Sequence, residues 1–442
     1  MFPNPQAALP LPPHPDLEQY KKLAKELVKA AKAQGADGIR KWASEWIPGL
    51  VRLSRLEFTP GLPVAIQAWI DDVSEFAARK LLSDGRPPAL TDAQFVIARS
   101  HGFMSWPKLV QHIEQLTRKN SSIAQFEVAA DAIVSGDART LKRLLRENPA
   151  LVRQQSTREH GATLLHYTSA NGVEGYRQKT PKNVVEITKL LLDSGAEVDA
   201  EADVYRGGCT TLGLAATSVH PEVAGVQEPL LQILLDYGAS IEKPNLAGNR
   251  HSAVIACFAN GRPRAGEFLA ARGAQLDLEG AAGLGRVDLV ETFFDSARRL
   301  KPPATKEQLQ KALLWACMYG REEAVAYLVE RGADLLDRAE SGATALHWAA
   351  GGAHLGIIKL LLDRGAPLEE VNAWGGTVLE HAGYGFAHPA DSTDFAPAFE
   401  TLLAAGARIQ GSWLAWLQKV KGHSPEEKAR VAEIFRRYGA TT

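Results

Sequence analysis

Imidazole is the side chain best suited to act as an acid, a base or a ligand near neutral pH. Of the twelve histidines in this 442-residue chain, His220, His381 and His388 lie within the chain's internal repeats but off the positions where the repeat itself uses histidine. Glu380 and His381, with Asp391 or Asp394, have the residue types of an acid/base group. No nucleophile stands beside them in the sequence, so an enzyme is unsupported. The stretch GAAGLGRV, Gly280 to Val287, faintly resembles a glycine-rich nucleotide loop, but it follows no strand and lacks the third glycine. No GxSxG, HExxH or P-loop pattern occurs. Cys209, Cys257 and Cys317 are too far apart for a CxxC zinc knuckle or a disulfide framework and read as buried small hydrophobes. No catalytic residue, metal or cofactor is assigned.

The elements that hold these residues come from a repeat. GATALHWAAGGAHLGIIKLLLDRGAPLEEVN, Gly342 to Asn372, has counterparts beginning at Gly161, Gly208 and Gly375, and a helix closed by Gly-Ala recurs seven times. Within one unit, Thr344 caps a thin apolar helix, Ile357, Ile358, Leu361 and Leu362 form the buried stripe of a second, and Gly365 supplies the left-handed residue that ends it. Helix pairs this short cannot bury their apolar faces alone and must stack on their neighbours, which makes a solenoid.

The opening of each unit resembles the ankyrin repeat. The family's T-P-L-H-x-A signature is matched by Thr344, Leu346, His347 and Ala349, with Ala345 in place of proline, and again by Thr163, Leu165 and His166. The position of the histidine is filled by Gly213 and Glu380 in two other copies, and the copy from Gly248 has Arg250 in place of threonine. The resemblance implies an all-α ankyrin-repeat solenoid, helix pairs with short β-hairpin fingers, over residues 123–442 in about nine units. In that pattern His166, His347 and His354 serve the structure. The unit LEGAAGLGRVDLVETFF is expected to lack its finger, because Gly273 and Gly332 are only 59 residues apart.

Three units are longer than the 23 residues that separate Gly342 from Gly365: the equivalent spacings are 34, 30 and 31 residues. All three insertions fall between the first and second helix. They hold Tyr176, Arg177, His220, Gln227, Tyr384 and His388, a recognition-type mixture of aromatic and polar groups. They are expected to fold over the groove lined by the first helices as a ligand pocket or peptide clamp, the alternative being solvent-exposed loop drift. Trp315, Tyr319, Trp348 and Trp374, in or beside the first helices and fingers of three successive units, are expected to form an aromatic strip on the concave face.

Residues 1–15 carry six prolines and read as a flexible tail. Residues 16–120 do not match the repeat. Their apolar periodicity predicts helices over 17–34, 39–46, 64–82, 92–100 and 106–118, with Trp42, Trp46, Trp69 and Trp106 in a compact core. The segment 91–117 resembles a helix-turn-helix, but its second helix offers only Lys108, Gln111 and His112 to base edges. A helical domain ahead of the repeats is similar to an uncharacterised bacterial type of ankyrin protein.

The chain's net charge of -1 provides no overall field for nucleic acid or an anionic membrane, although residues 16–120 carry +4 and the repeats -5. No stretch approaches the 18 apolar residues of a membrane span. A cytoplasmic location is expected. The leading expectation is a scaffold that binds a protein or peptide through the concave face and inserted loops. The alternatives are a small-molecule sensor or enzyme with a pocket beneath those loops, and a DNA-binding regulator acting through 91–117.

Overall fold

A computed structural model describes residues 2–54, 56, 61–118, 121–205, 207–242, 252–389, 392–409 and 412–440. Gly248, Arg250 and Asp391 lie outside them. The chain divides into two compact units, Met1–Arg250 and His251–Thr442.

The first unit begins with the predicted helical region. The helix Leu17–Leu53 is interrupted at Gly35, whose φ of 56° is left-handed, and continues past Gly38, where a Cβ would overlap the Ala30 carbonyl. Helices Leu62–Leu82, Leu90–Ser100 and Trp106–Leu116 complete it. Tyr20, Leu27, Ile39, Trp42, Ile47, Val73, Val96, Ile97 and Phe103 are buried in one apolar cluster. His112, expected to face a base edge, instead points inward with Leu109 and Ile113, which leaves Lys108 and Gln111 as the outward-facing candidates.

The proline-rich start, expected as a flexible tail, packs against the helical region. Phe2, Ala8 and Leu9 are buried, Leu9 N–H donates to the Ser100 carbonyl at 2.7 Å, and His101 Nδ1–H donates to the Leu9 carbonyl at 3.1 Å. Prolines restrict the unfolded chain, so an extended segment of this kind loses less entropy when it docks. Apolar Phe2 and Leu9 give it something to bury.

Repeats follow in the same unit. Helix Ser122–Ser135 pairs with Ala138–Glu147, a 3-10 turn Leu164–Ser169 with helix Val184–Asp193, and helix Thr211–Thr217 with Gln227–Asp236. The first helix of the second pair tightens to 3-10 geometry and stops at Ala170, which has φ 49°. A finger survives as the antiparallel strands Glu201–Ala202 and Cys209–Thr210.

The second unit stacks six helix pairs, from Ala253–Ala259 with Pro263–Ala270 to Trp413–Lys419 with Pro425–Arg437. Between them lie Leu278–Gly283 with Val287–Thr292, Lys306–Met318 with Glu322–Glu330, Ala345–Gly351 with Leu355–Asp363, and Val378–Ala387 with Ala396–Ala404. The first helices are thin because small residues line their contacts. At Gly385 a Cβ would overlap the Gly351 carbonyl oxygen of the preceding first helix. The link into Leu278–Gly283 is residues 271–277, half as long as residues 331–344 before Ala345–Gly351, consistent with the missing finger. No helix among the described residues is long and apolar enough to cross a membrane.

Candidate functional site

The histidines of the repeat signature serve the backbone. His347 Nδ1 accepts from Thr344 N–H at 3.2 Å while its Nε2–H donates to the Gly376 carbonyl of the next unit at 3.3 Å; His166 does the same with Thr163 and the Cys209 carbonyl. Each therefore closes a helix start and ties it to the neighbouring finger. His354 Nε2–H reaches back to the Met318 carbonyl at 3.1 Å. Burial keeps His166 neutral by lowering its pKa to about 4.

The first inserted loop turns inward. Arg177 is 5% exposed, with Nη1 2.8 Å from Glu127 Oε2, Nη2 2.8 Å from Asp131 Oδ1, and its guanidinium over the Tyr167 and Tyr176 rings. Arg158 lies 2.6 Å from Glu127 and 2.9 Å from Glu174, and donates to the Tyr176 hydroxyl at 3.5 Å. Two buried arginines thus face two buried carboxylates. The arginines hold the Glu127 carboxyl down at about 2 and that of Glu174 well below its usual range, against the desolvation that would raise both. Arg177 is a structural ion-pair residue here, and Tyr176 is half-buried beside it. The sequence showed their types but not their partners, which are far away in the chain.

The second insertion is also internal structure. It forms the short helix Val219–Val223, and Gln227 donates to the Ala215, Ala216 and Ser218 carbonyls. His220 is half-buried, with its pKa lowered by desolvation. In the third, Phe395 packs on Phe386 and Phe399, and Asp394 pairs with Arg430 at 2.8 Å. Glu380 is spent on the capping box of Thr377. Among the described residues, the carboxylates considered with His381 are engaged elsewhere, Glu380 in the capping box and Asp394 with Arg430. Two grooves lie away from the inserted loops, one of about 290 Å³ lined by residues such as Val152, Thr163 and Glu201, and one of about 660 Å³ beside helix Ala138–Glu147. An inserted segment that brings its own apolar or ion-paired side chains is more stable packed onto its repeat than held over open groove.

The aromatic residues of the second unit form two groups. Trp315 and Tyr319, one turn apart, stack with ring centroids 6.3 Å apart at 9°, over buried Phe258. Their polar ends are engaged: the Tyr319 hydroxyl donates to the Phe258 carbonyl at 2.7 Å and Trp315 Nε1–H to Glu279 Oε2 at 3.2 Å. Desolvation raises the Glu279 carboxyl to about 6. Glu279 escaped the sequence reading, although a lone acid in the apolar run LEGAAG was the available signal.

The second group crosses two repeats. Trp348 meets His381 edge-on at 5.4 Å, His381 lies 6.3 Å from Tyr384, and Tyr384 lies 4.5 Å from His388. His388 Nδ1–H donates to the Tyr384 carbonyl at 3.0 Å, while burial lowers His381 to about 4 and keeps it neutral. Asn372 joins the finger to this row, accepting from the Trp374 N–H at 3.0 Å and contacting His381 Nδ1 at 3.5 Å. Trp374 is 78% exposed and Tyr384 65%. Two large rings thus face water, Tyr384 in the row and Trp374 in the finger, and exposed aromatics of this size suit an apolar or peptide ligand.

The family model "Ankyrin repeats (3 copies)" matches residues 278–373, which contain Trp315, Tyr319 and Trp348. These are ankyrin repeats. Ankyrin resemblance extends to curated proteins: Ankyrin repeat and KH domain-containing protein mask of Drosophila melanogaster is 44% identical over 62 residues, 14% of this chain and 2% of that protein. Probable E3 ubiquitin-protein ligase XBOS32 of Oryza sativa subsp. japonica is 27% identical over 262 residues, 59% of this chain and 42% of that protein. The chain thus spans less than half the length of either. Among solved structures, the human ASB11 ankyrin repeat domain is 22% identical, with a TM-score of 0.34, covering 64% of this chain and 99% of that one. The ankyrin repeat domain of Bcl-3 is 21% identical, with a TM-score of 0.29, covering 57% and 92%.

Proposed function

We propose that this chain is a recognition scaffold that binds a protein or peptide through the first-helix face of the unit His251–Thr442. Ankyrin repeat domains are generally protein–protein interaction scaffolds. The observation that carries the reading here is the exposure of two large rings: Tyr384, in the row of ring contacts that runs from Trp348 through His381, and Trp374, in the finger before that helix. Large aromatics on a preorganised backbone concentrate binding energy because little side-chain entropy is lost on docking. Trp315 and Tyr319 extend the same surface class one repeat earlier. Tyr176, Arg177 and His220 are left out of the binding surface. The pocket reading of the inserted loops is not adopted, since the first two loops are spent on internal contacts.

The experiment is site-specific photocrosslinking in the native cell. Benzoylphenylalanine at position 384 or 374 should trap a discrete adduct, while the same group at exposed Lys359, on a second helix, should not. Equal labelling at all three positions, or none at 374 and 384, would remove the proposal.

A further inference from the structure

The helix Ala138–Glu147, in the first unit, has a different surface. Arg139, Lys142, Arg143 and Arg146 are all exposed and spaced to share one helical face, about 10 Å from first to last. The opposite face is buried through Leu141, Leu144 and Leu145. Between this helix and Val184–Asp193 runs a groove of about 660 Å³ bordered by those four cations, with Leu145, Pro149 and Leu190 as its apolar lining. Arg143 pairs with Glu147 at 2.7 Å, whereas Arg139, Lys142 and Arg146 make no ion pair among the described residues.

A basic helix face alone is a solvated face. Here the positive charges stand around apolar surface, and a ligand that matches only the charge would leave that surface wet. A phosphate backbone has charge and no apolar anchor, and an apolar helix has an anchor and no charge. An acidic peptide with one or two aliphatic side chains supplies both.

We propose that this groove docks an acidic segment of a partner protein, its aliphatic side chains against Leu145, Pro149 and Leu190 and its carboxylates on Arg139, Lys142 and Arg146. The site lies on a second-helix layer and is separate from the aromatic strip proposed above.

The test uses the full chain and a labelled twelve-residue peptide carrying four glutamates and two leucines four positions apart, read by fluorescence anisotropy. Binding should weaken at least tenfold when both leucines become serine. It should weaken at least tenfold with Arg139→Glu plus Arg146→Glu, and should fall steeply between 50 and 300 mM salt. Leu190→Ser tests the apolar lining, and Trp374→Ala should leave affinity unchanged. An unchanged melting temperature shows that each variant is folded. Equal affinity for the serine peptide, tighter binding to duplex DNA or phosphatidylserine vesicles, or no binding at about 100 μM would each overturn the assignment.

Discussion

Replacing Arg177 with methionine removes one of two cations from an interior that keeps both of its carboxylates. Arg177 Nη1 lies 2.8 Å from Glu127 and 3.4 Å from Glu174, while Arg158 contacts the same two acids at 2.6 and 2.9 Å. Glu174 is completely buried and Glu127 nearly so. After the substitution one arginine must neutralise two carboxylates in a medium that cannot solvate the remainder. Breaking a buried pair from one side costs about 3–5 kcal/mol, and methionine fills enough of the vacated stem to keep the cavity contribution small. Hydrogen exchange is the assay that localises the effect, because regions of a protein can open locally with different free energies. Amides of the helix Ser122–Ser135, which carries Glu127, should lose about two to three and a half decades of protection. Adding Glu174→Gln restores the charge balance, so the double variant should be at least about 1 kcal/mol more stable than the sum of the two losses. A loss below about 1 kcal/mol, or strict additivity, would refute the reasoning. Acid carries the same signature. The two arginines hold the folded-state Glu127 carboxyl down at about 2, below the usual carboxyl value near 4.5. The stability it contributes is therefore complete above about pH 4.5 and disappears as the pH falls towards 2.

Three further outcomes follow from the packing. Leu9→Ala should cost about 2–4 kcal/mol in urea unfolding, since the side chain is fully buried; a mobile tail would show no change. Gln227→Ala removes a side-chain donor shared by the Ala215, Ala216 and Ser218 carbonyls at the junction of the first helix and the second inserted loop and should cost about 1–3 kcal/mol, with faster exchange confined to the neighbourhood of residues 215–227. Glu279 has a raised pKa of about 6, so its charged form opposes folding at higher pH. As pH rises from 4.5 through 6 the wild type should lose about 1 kcal/mol, discounted for partial solvent screening, and Glu279→Gln should flatten that slope. A flat wild-type profile would exclude the assignment.

The repeats were legible because their physics is local. A threonine cap, a thin apolar helix, an aliphatic stripe and Gly-Ala recur within one unit, and the histidine bonds of His166, His347 and His354 follow from that register. The N-terminal helices were legible for the same reason, apart from the continuation through Gly35. What escaped was non-local. Arg177 meets Glu127 across fifty residues, and Glu174, between them in space, has no periodic signature. An insertion rich in polar and aromatic residues has the same composition whether it faces a ligand or its own repeat. Desolvation decides between these, and only partners that are distant in sequence reveal it. Trp348, His381, Tyr384 and His388 were nominated for reasons of type and unit position, and all four belong to one row of ring contacts. Phe258 and Glu279, which back the other aromatic pair, were not nominated, because neither matches a recognised motif.

The central claim is that recognition is concentrated in the exposed aromatic end of the second unit. The most direct measurement selects peptides from a random library on the full chain and compares their Kd on wild type and on Trp374→Ala with Tyr384→Ala. Both side chains are exposed, so the variant should keep its melting temperature. Loss of two hot-spot rings predicts at least about 2 kcal/mol, roughly a 30-fold rise in Kd. Selected peptides that bind wild type and variant within twofold of each other would contradict the account.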